Sequence, residues 1–131
     1  MSMVSKMVGK QGEEAASRFL EGLGYRILDR NVLAHGAGNI RLQKPGKIIS
    51  ELDIVAQQED ILVFVEVKTR RSLRCGTPLE SITPRKVNQL RLAAECYIRQ
   101  HCLEGWAMRI DAISVTLQPE GWTLRHIKGI G

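Results

Sequence analysis

Residues 51–70 read ELDIVAQQEDILVFVEVKTR, the most apolar part of the chain. Leu52–Ala56 and Ile61–Val67 are short apolar runs rich in β-branched residues, broken at Gln58-Glu59-Asp60, and they read as two strands around a turn. Side chains alternate along a strand, so Glu51, Asp53, Val55 and Gln57 share one face, and Leu62, Phe64, Glu66, Lys68 and Arg70 share one face of the next. A hairpin closed by a two- or four-residue loop centred on Glu59-Asp60 sets Asp53 opposite Glu66 and Glu51 opposite Lys68, all pointing the same way. A three- or five-residue loop shifts the register and breaks that geometry.

Directly opposed residues of an antiparallel pair have Cβ atoms roughly 4.5 to 5.5 Å apart, so Asp53 and Glu66 would be like charges held side by side. Two accounts remain open on these residues alone. A divalent cation between the carboxylates removes the repulsion, and Mg²⁺ accepts one or two carboxylates while keeping several waters; Lys68 would then stabilise developing negative charge. Alternatively the four form a cross-strand ion-pair cluster on a solvated face. Leu62, Phe64 and the surrounding β-branched residues favour a covered strand, where a carboxylate and an ammonium need a specific reason to be present.

Working outward, Val8, Ala15, Ala16, Phe19, Leu20 and Leu23 fall on one face of a helix over Lys6–Leu23, with Gly24 as its stop. Tyr25–Val32 reads as a strand. A long polar loop with basic Arg41, Lys44 and Lys47 follows, over residues 34–49. Thr83 caps a second helix with Pro84 in its first turn, and Val87, Leu90, Ala94, Tyr97 and Ile98 make its apolar stripe as far as about Cys102. Arg109–Leu117 and Trp122–Ile127 are strands around the turn Pro119-Glu120-Gly121. The order is helix, three strands, helix, two strands, within a single domain spanning residues 1–131.

Nineteen Lys and Arg against fourteen Asp and Glu give a net charge of +5, which suits an anionic partner such as nucleic acid. No stretch resembles a signal peptide or is long enough to cross a bilayer, so a cytoplasmic location is the default and no membrane partner is expected. Cys75, Cys96 and Cys102 show no C-x-x-C pairing and read as free, buried or half-buried thiols. His35, His101 and His126 are scattered and read as packing residues. Asp111 shares a strand face with Ile113 and Val115, which makes it a candidate buried, hydrogen-bonded acid. Gly9 and Gly12 each cost roughly 1 kcal/mol relative to Ala inside a helix, so close approach by a neighbour or a phosphate is their natural compensation, a frayed helix start the other. Glu13 borders the apolar stripe and can turn toward the sheet; near a helix N-terminus it is also simply a favourable charge.

Asp53 followed by Glu66-Val67-Lys68 resembles the D…(D/E)-x-K signature of the PD-(D/E)xK nuclease superfamily. The wider pattern comprises Gly9-Lys10-Gln11-Gly12-Glu13, Gly24-Tyr25, Asn31, Glu51-Leu52-Asp53-Ile54-Val55-Ala56, Val63 to Arg70, Gly76-Thr77-Pro78, Lys86 and Arg109-Ile110-Asp111. It is similar to the YraN-type family of small bacterial proteins, predicted endonucleases related to Holliday-junction resolvases, from about Gly9 to Val115. The resemblance implies an α/β, restriction-endonuclease-like core, a mixed central sheet of about five strands flanked by two main helices. It also implies hydrolysis of phosphodiester bonds with Mg²⁺ or Mn²⁺. Asp53 and Glu66 match the metal-binding acids, Lys68 the catalytic lysine and Glu13 the helix acid that completes such sites. Ser50 stands where that family usually has Gly, and residues 34–49 make a longer segment than usual.

Arg70, Arg71 and Arg74 continue the lysine strand into its loop, and Arg85 and Lys86 open the second helix, so a nucleic-acid backbone can track across them without sequence readout. The expectation is a metal-dependent endonuclease acting on structured or branched DNA, DNA being favoured over RNA, in a form compatible with a homodimer. The alternative is a non-catalytic nucleic-acid-binding module of the same fold.

Overall fold

The computed structural model describes residues 3–35, 48–71 and 82–131. Its elements are α1 (Met3–Gly22), β1 (Arg26–His35), β2 (Ile48–Gln58), β3 (Ile61–Arg70), α2 (Pro84–Gln100), β4 (Ala107–Gln118) and β5 (Gly121–Ile127). This is the element order read from the sequence. Cys75, Arg74 and most of the long loop lie outside the described residues. No described helix is long and apolar enough to cross a membrane.

Local chemistry explains the boundaries. Gly24 adopts φ +94°, its N–H donates to Glu21 O at 3.0 Å and the Tyr25 N–H to Leu20 O at 3.0 Å, so a left-handed glycine ends α1 in a Schellman turn. Thr83 caps α2 by accepting from the Lys86 N–H at 3.2 Å, with Pro84 entering the first turn. Glu59 takes φ 55° in the two-residue turn, so Gln58 pairs with Ile61 and Ile54 with Val65. That is the register expected of a two-residue loop.

The five strands lie in the order β1-β2-β3-β4-β5. Every neighbouring pair is antiparallel except β3 and β4, which run parallel because α2 provides the crossover between them. On one face, Leu90, Ala93, Ala94, Cys96 and Tyr97 of α2 pack on Val55, Leu62, Phe64 and Ile110. On the other, Ala16 and Leu20 of α1 pack on Ile54, Ala56, Val63, Val65, Val67, Ile113 and Val115. The buried stripe of α1 is narrower than its apolar pattern implies. Phe19 is 36 % and Leu23 55 % exposed, because Gly12, Ala16 and Leu20 follow an i, i+4, i+8 line onto the sheet while Phe19 overhangs its edge strand, with its ring edge-on to His126.

Two strands depart from strict alternation at the same level. Leu52 joins Val55 on the α2 face while Ile54 between them faces α1, and beside this point in β1 Asn31 takes φ 55°. A left-handed residue in a strand reverses the side on which the following residues project, and Asn is among the few residue types that tolerate it.

At the β4 end, Asp111 is fully buried. It accepts from Arg109 Nε at 2.8 Å, Arg109 Nη2 at 3.0 Å and the Gly129 N–H at 3.0 Å, and lies 2.8 Å from His126 Nε2. Arg109 also donates to Tyr25 Oη at 2.9 Å and Gln58 Oε1 at 3.3 Å, tying α1's exit and the hairpin turn to β4. Burial alone would raise the Asp111 pKa, but Arg109, the Gly129 N–H and His126 together bring it below the ordinary carboxylate value. A lowered folded pKa contributes stability above the unfolded pKa and loses it as pH falls through the folded value. Asp111→Ala, which strands Arg109 and His126, is expected to cost about 3 to 5 kcal/mol in urea unfolding at pH 7. The deficit should shrink in melts repeated at pH 3, whereas a deficit independent of pH would place the cost in packing instead.

Candidate active site

The site lies where β2 and β3 separate. Their pairing ends at Ile54 and Val65, and the next inward-facing N–H of β3, that of Val67, donates to Asp53 Oδ2 at 2.8 Å. The carboxylate thus takes the place of a strand carbonyl. Asp53 is 9 % and Glu66 5 % exposed, so these two acids are covered, not members of a solvated ion-pair surface. Burial, followed by the charge of Glu66, pushes the Asp53 pKa up to about 8, with Glu13 and Glu51 adding to the rise and the Val67 N–H opposing it.

Glu66 is flanked by two ammonium groups. Lys68 Nζ stands 3.6 Å from Oε1 and Lys86 Nζ 3.9 Å from Oε2. Lys68 therefore pairs with the acid on its own strand face, not with Glu51 across the hairpin. Glu66 Oε2 is buried and has no hydrogen-bond partner. A buried charged oxygen without a donor is costly, and here two such costs, the orphaned oxygen and the Asp53–Glu66 repulsion, share one place.

Glu13 is brought to this cluster by Gly12. A Cβ on Gly12 would come within 2.7 Å of Thr69 Cγ2 and 2.9 Å of Thr69 Cβ, so the bare backbone lets α1 sit directly on β3, one residue past Lys68. Gly9 has nothing within 4 Å of the same position, so close approach explains only one of the two glycines. The Glu13 pKa is raised by burial, then by Glu51, and to a smaller extent by Glu66; a hydrogen bond from the Asn31 side chain and the charge of Arg30 oppose it. Glu13, Glu51, Asp53 and Glu66 thus form one electrostatic unit drawn from α1, β2 and β3.

Among the described residues no group of three or more His, Cys, Asp and Glu side chains is placed to hold a metal ion. An ion here would rest on Asp53, Glu66 and water, the coordination that Mg²⁺ accepts. The residues fit such an ion: it would partner the orphaned oxygen and cancel the repulsion between the acids.

Of the expected nucleic-acid contacts, Arg70 ends β3 half-buried, Arg71 follows it exposed, and Arg85 is exposed in the first turn of α2. None makes an ion pair among the described residues. Lys86 differs from them, since it turns inward to Glu66. Three further residues make contacts at the site that the sequence expectation did not assign to them. Asn31 bonds Glu13, Ser50 Oγ lies 3.3 Å from Lys86 Nζ, and Glu51 adds charge to both Glu13 and Asp53. The family pattern includes Asn31 and the departure at Ser50, but neither identifies the residue that each one contacts. The histidines and the two described cysteines stay outside the site: His101 stacks on Tyr97 at 4.0 Å, and Cys96 is buried but Cys102 is exposed, not half-buried as expected.

A mixed five-stranded sheet between two helices, with an acidic pair and a lysine where its hairpin opens, is an α/β fold consistent with a restriction-endonuclease-like core. Residues 12–115 match the model of Uncharacterised protein family UPF0102, and the chain belongs to that family. It is 43 % identical over 121 residues to a UPF0102 protein of Dehalococcoides mccartyi, covering 92 % of this chain and 89 % of that protein. It is 37 % identical over 122 residues to one of Dictyoglomus turgidum, covering 93 % and 92 %, and 39 % identical over 125 residues to one of Renibacterium salmoninarum, covering 95 % of each.

Two outcomes are expected from this geometry. In chelator, Asp53 holds its proton in the folded chain up to about pH 8, whereas the unfolded chain releases it near 4; its stabilising contribution is complete below that lower value and is lost as pH rises to the upper one. Asp53→Asn keeps the acceptor for Val67 without the charge, so it should melt about 4 °C or more above the wild type at pH 8.5 and close to it at pH 4; a wild type that melts higher at pH 8.5 would refute the strain. Gly12→Ala should destabilise despite Ala's helix advantage, while Gly9→Ala should stabilise by up to about 1 kcal/mol, both read from urea midpoints.

Proposed function

We propose that the protein is a Mg²⁺- or Mn²⁺-dependent endonuclease that hydrolyses phosphodiester bonds in structured or branched DNA. The observation that carries this reading is the buried Asp53–Glu66 pair at the hairpin's open end, with one Glu66 oxygen unpartnered and Lys68 beside the other.

Asp53 and Glu66 would hold the ion, which when bound supplies a Lewis acid on a phosphate oxygen and water of lowered pKa. Val67 fixes Asp53 from the backbone, so that acid is oriented without side-chain reorganisation. Lys68 sits at the mouth of the site with its side chain 32 % exposed, where its ammonium can donate to a non-bridging phosphate oxygen as negative charge builds during attack. Glu13, whose pKa burial and then Glu51 raise above the ordinary carboxylate value, is a better proton acceptor than a free carboxylate, and Asn31 orients it. Arg70, Arg71 and Arg85 lie around the same end and supply backbone contacts that carry no sequence information. Their arrangement supports a substrate recognised by shape, and cutting both strands of a branch would call for two sites, as a homodimer would provide.

Mn²⁺ titrated calorimetrically into the wild type should bind, and Asp53→Asn should abolish the binding together with metal-dependent cleavage of branched DNA. Lys68→Ala should retain Mn²⁺ but lose cleavage by about 10²- to 10³-fold. A wild type that binds branched DNA but neither binds Mn²⁺ nor cuts would make the protein a nucleic-acid-binding module instead.

A further inference from the structure

Lys86 is the residue whose placement the proposed nuclease chemistry does not use. It belongs to α2, on the sheet face opposite α1, and the Thr83 cap sets its backbone at the third position of the helix. From there its ammonium reaches 3.3 Å from Ser50 Oγ and 3.9 Å from Glu66 Oε2. The first distance is a hydrogen bond and the second is an ion pair without one, so the serine, and not the acid, is the anchor. Ser50 is itself buried at 7 % exposure, and its hydroxyl lies 3.4 Å from Glu51 O. The lysine side chain remains 30 % exposed, and the neighbouring Arg85 is exposed.

Resting on the metal-dependent reading, we propose that Lys86 is a tethered counter-ion for Glu66, exchanged for the divalent cation and then offered to the substrate's phosphate. Before the cation arrives, the ammonium faces the orphaned oxygen and partly balances a buried carboxylate. A cation on Glu66 repels an ammonium 3.9 Å from the same oxygen, and Ser50 provides a neutral hydroxyl beside which Lys86 can pivot outward. Freed from Glu66, it becomes one additional cation for an incoming phosphate oxygen. Lys68 differs, since it lies on Glu66's own strand two residues away and pairs with Oε1. Lys86 is thus a positioning and binding residue that links cation loading to grip on the nucleic-acid backbone.

The proposal makes two effects of one substitution run in opposite directions. Lys86→Met keeps the apolar stem and removes the charge, so Mn²⁺ affinity measured calorimetrically should rise about 3- to 10-fold. Binding of a labelled branched DNA, measured with Ca²⁺ present, should lose roughly one phosphate contact, seen as a salt-dependence slope smaller by about 0.9, whereas in EDTA the slope should not change. Ser50→Ala, which keeps both charges, covers the case in which Lys86→Met folds poorly and should raise Mn²⁺ affinity in the same direction by less. If the wild type binds Mn²⁺ through Asp53 and neither variant binds it more tightly, Lys86 is a structural ion-pair partner and the exchange is overturned while the nuclease reading stands. Equal loss of DNA contacts in EDTA and in Ca²⁺ would overturn it as well, leaving Lys86 a constitutive phosphate contact. A wild type that binds no Mn²⁺ at all overturns both readings.

Discussion

The bond from the Val67 N–H to Asp53 Oδ2 is the constraint on which the site depends. In a continuing antiparallel ladder that N–H would find a carbonyl on β2, and the two strands would stay about 4.8 Å apart. Substituting a carboxylate satisfies the backbone donor and ends the ladder, so β2 and β3 separate where the chain places Asp53 and Glu66. One hydrogen bond thereby opens the hairpin and fixes an acid within the opening. The left-handed Asn31 in β1 belongs to the same device, because the change of face in β2 needs a matching change in its other neighbour.

The helices then complete what the opening begins, from opposite sides. Gly12 permits α1 to lie against Thr69, and that contact delivers Glu13; the Thr83 cap starts α2 where Lys86 reaches Ser50 and Glu66. Acids thus come from α1, β2 and β3, and cations from β3 and α2. The balance within the cluster is incomplete, since Glu66 Oε2 has no donor and the Asp53 pKa is pushed up to about 8. Both features cost stability locally, over a core that is otherwise well packed.

Most of the fold was legible because its signals are local. Alternation gave the strands, Gly24 and Thr83-Pro84 the helix limits, and Glu59-Asp60 the register of the hairpin. Extending that register points to the acidic pair and Lys68, although the ladder itself ends at Ile54 and Val65, one pair short of Asp53 and Glu66, and Lys68 faces Glu66 instead of Glu51. What escaped depends on contacts between distant segments. Ser50 and Lys86 are 36 residues apart, and nothing in either neighbourhood distinguishes a lysine that turns inward from one that lies on a basic surface. Asn31 belongs to the family pattern, but its bond to Glu13 requires α1 and β1 to be docked. Phe19 and Leu23 were misread for a related reason: helical periodicity marks an apolar face without saying how far the sheet beneath it extends.

Asp53 and Asp111 provide an internal comparison of two buried carboxylates. Both are aspartates inside the same sheet. Asp111 is surrounded by Arg109, His126 and the Gly129 N–H, and its pKa falls despite complete burial. Asp53 has the Val67 N–H and otherwise acidic neighbours, and its pKa rises. Burial penalises both, so the difference lies in the partners. Asp111 already has the positive charge that its burial requires, supplied by residues that also bind Tyr25 and Gln58 into the frame. The charge that Asp53 requires is not supplied by its own neighbours, because Lys68 and Lys86 are directed to Glu66. A sheet that can complete the first arrangement a few residues away has no architectural need for the second, and the missing charge is what a divalent cation would bring.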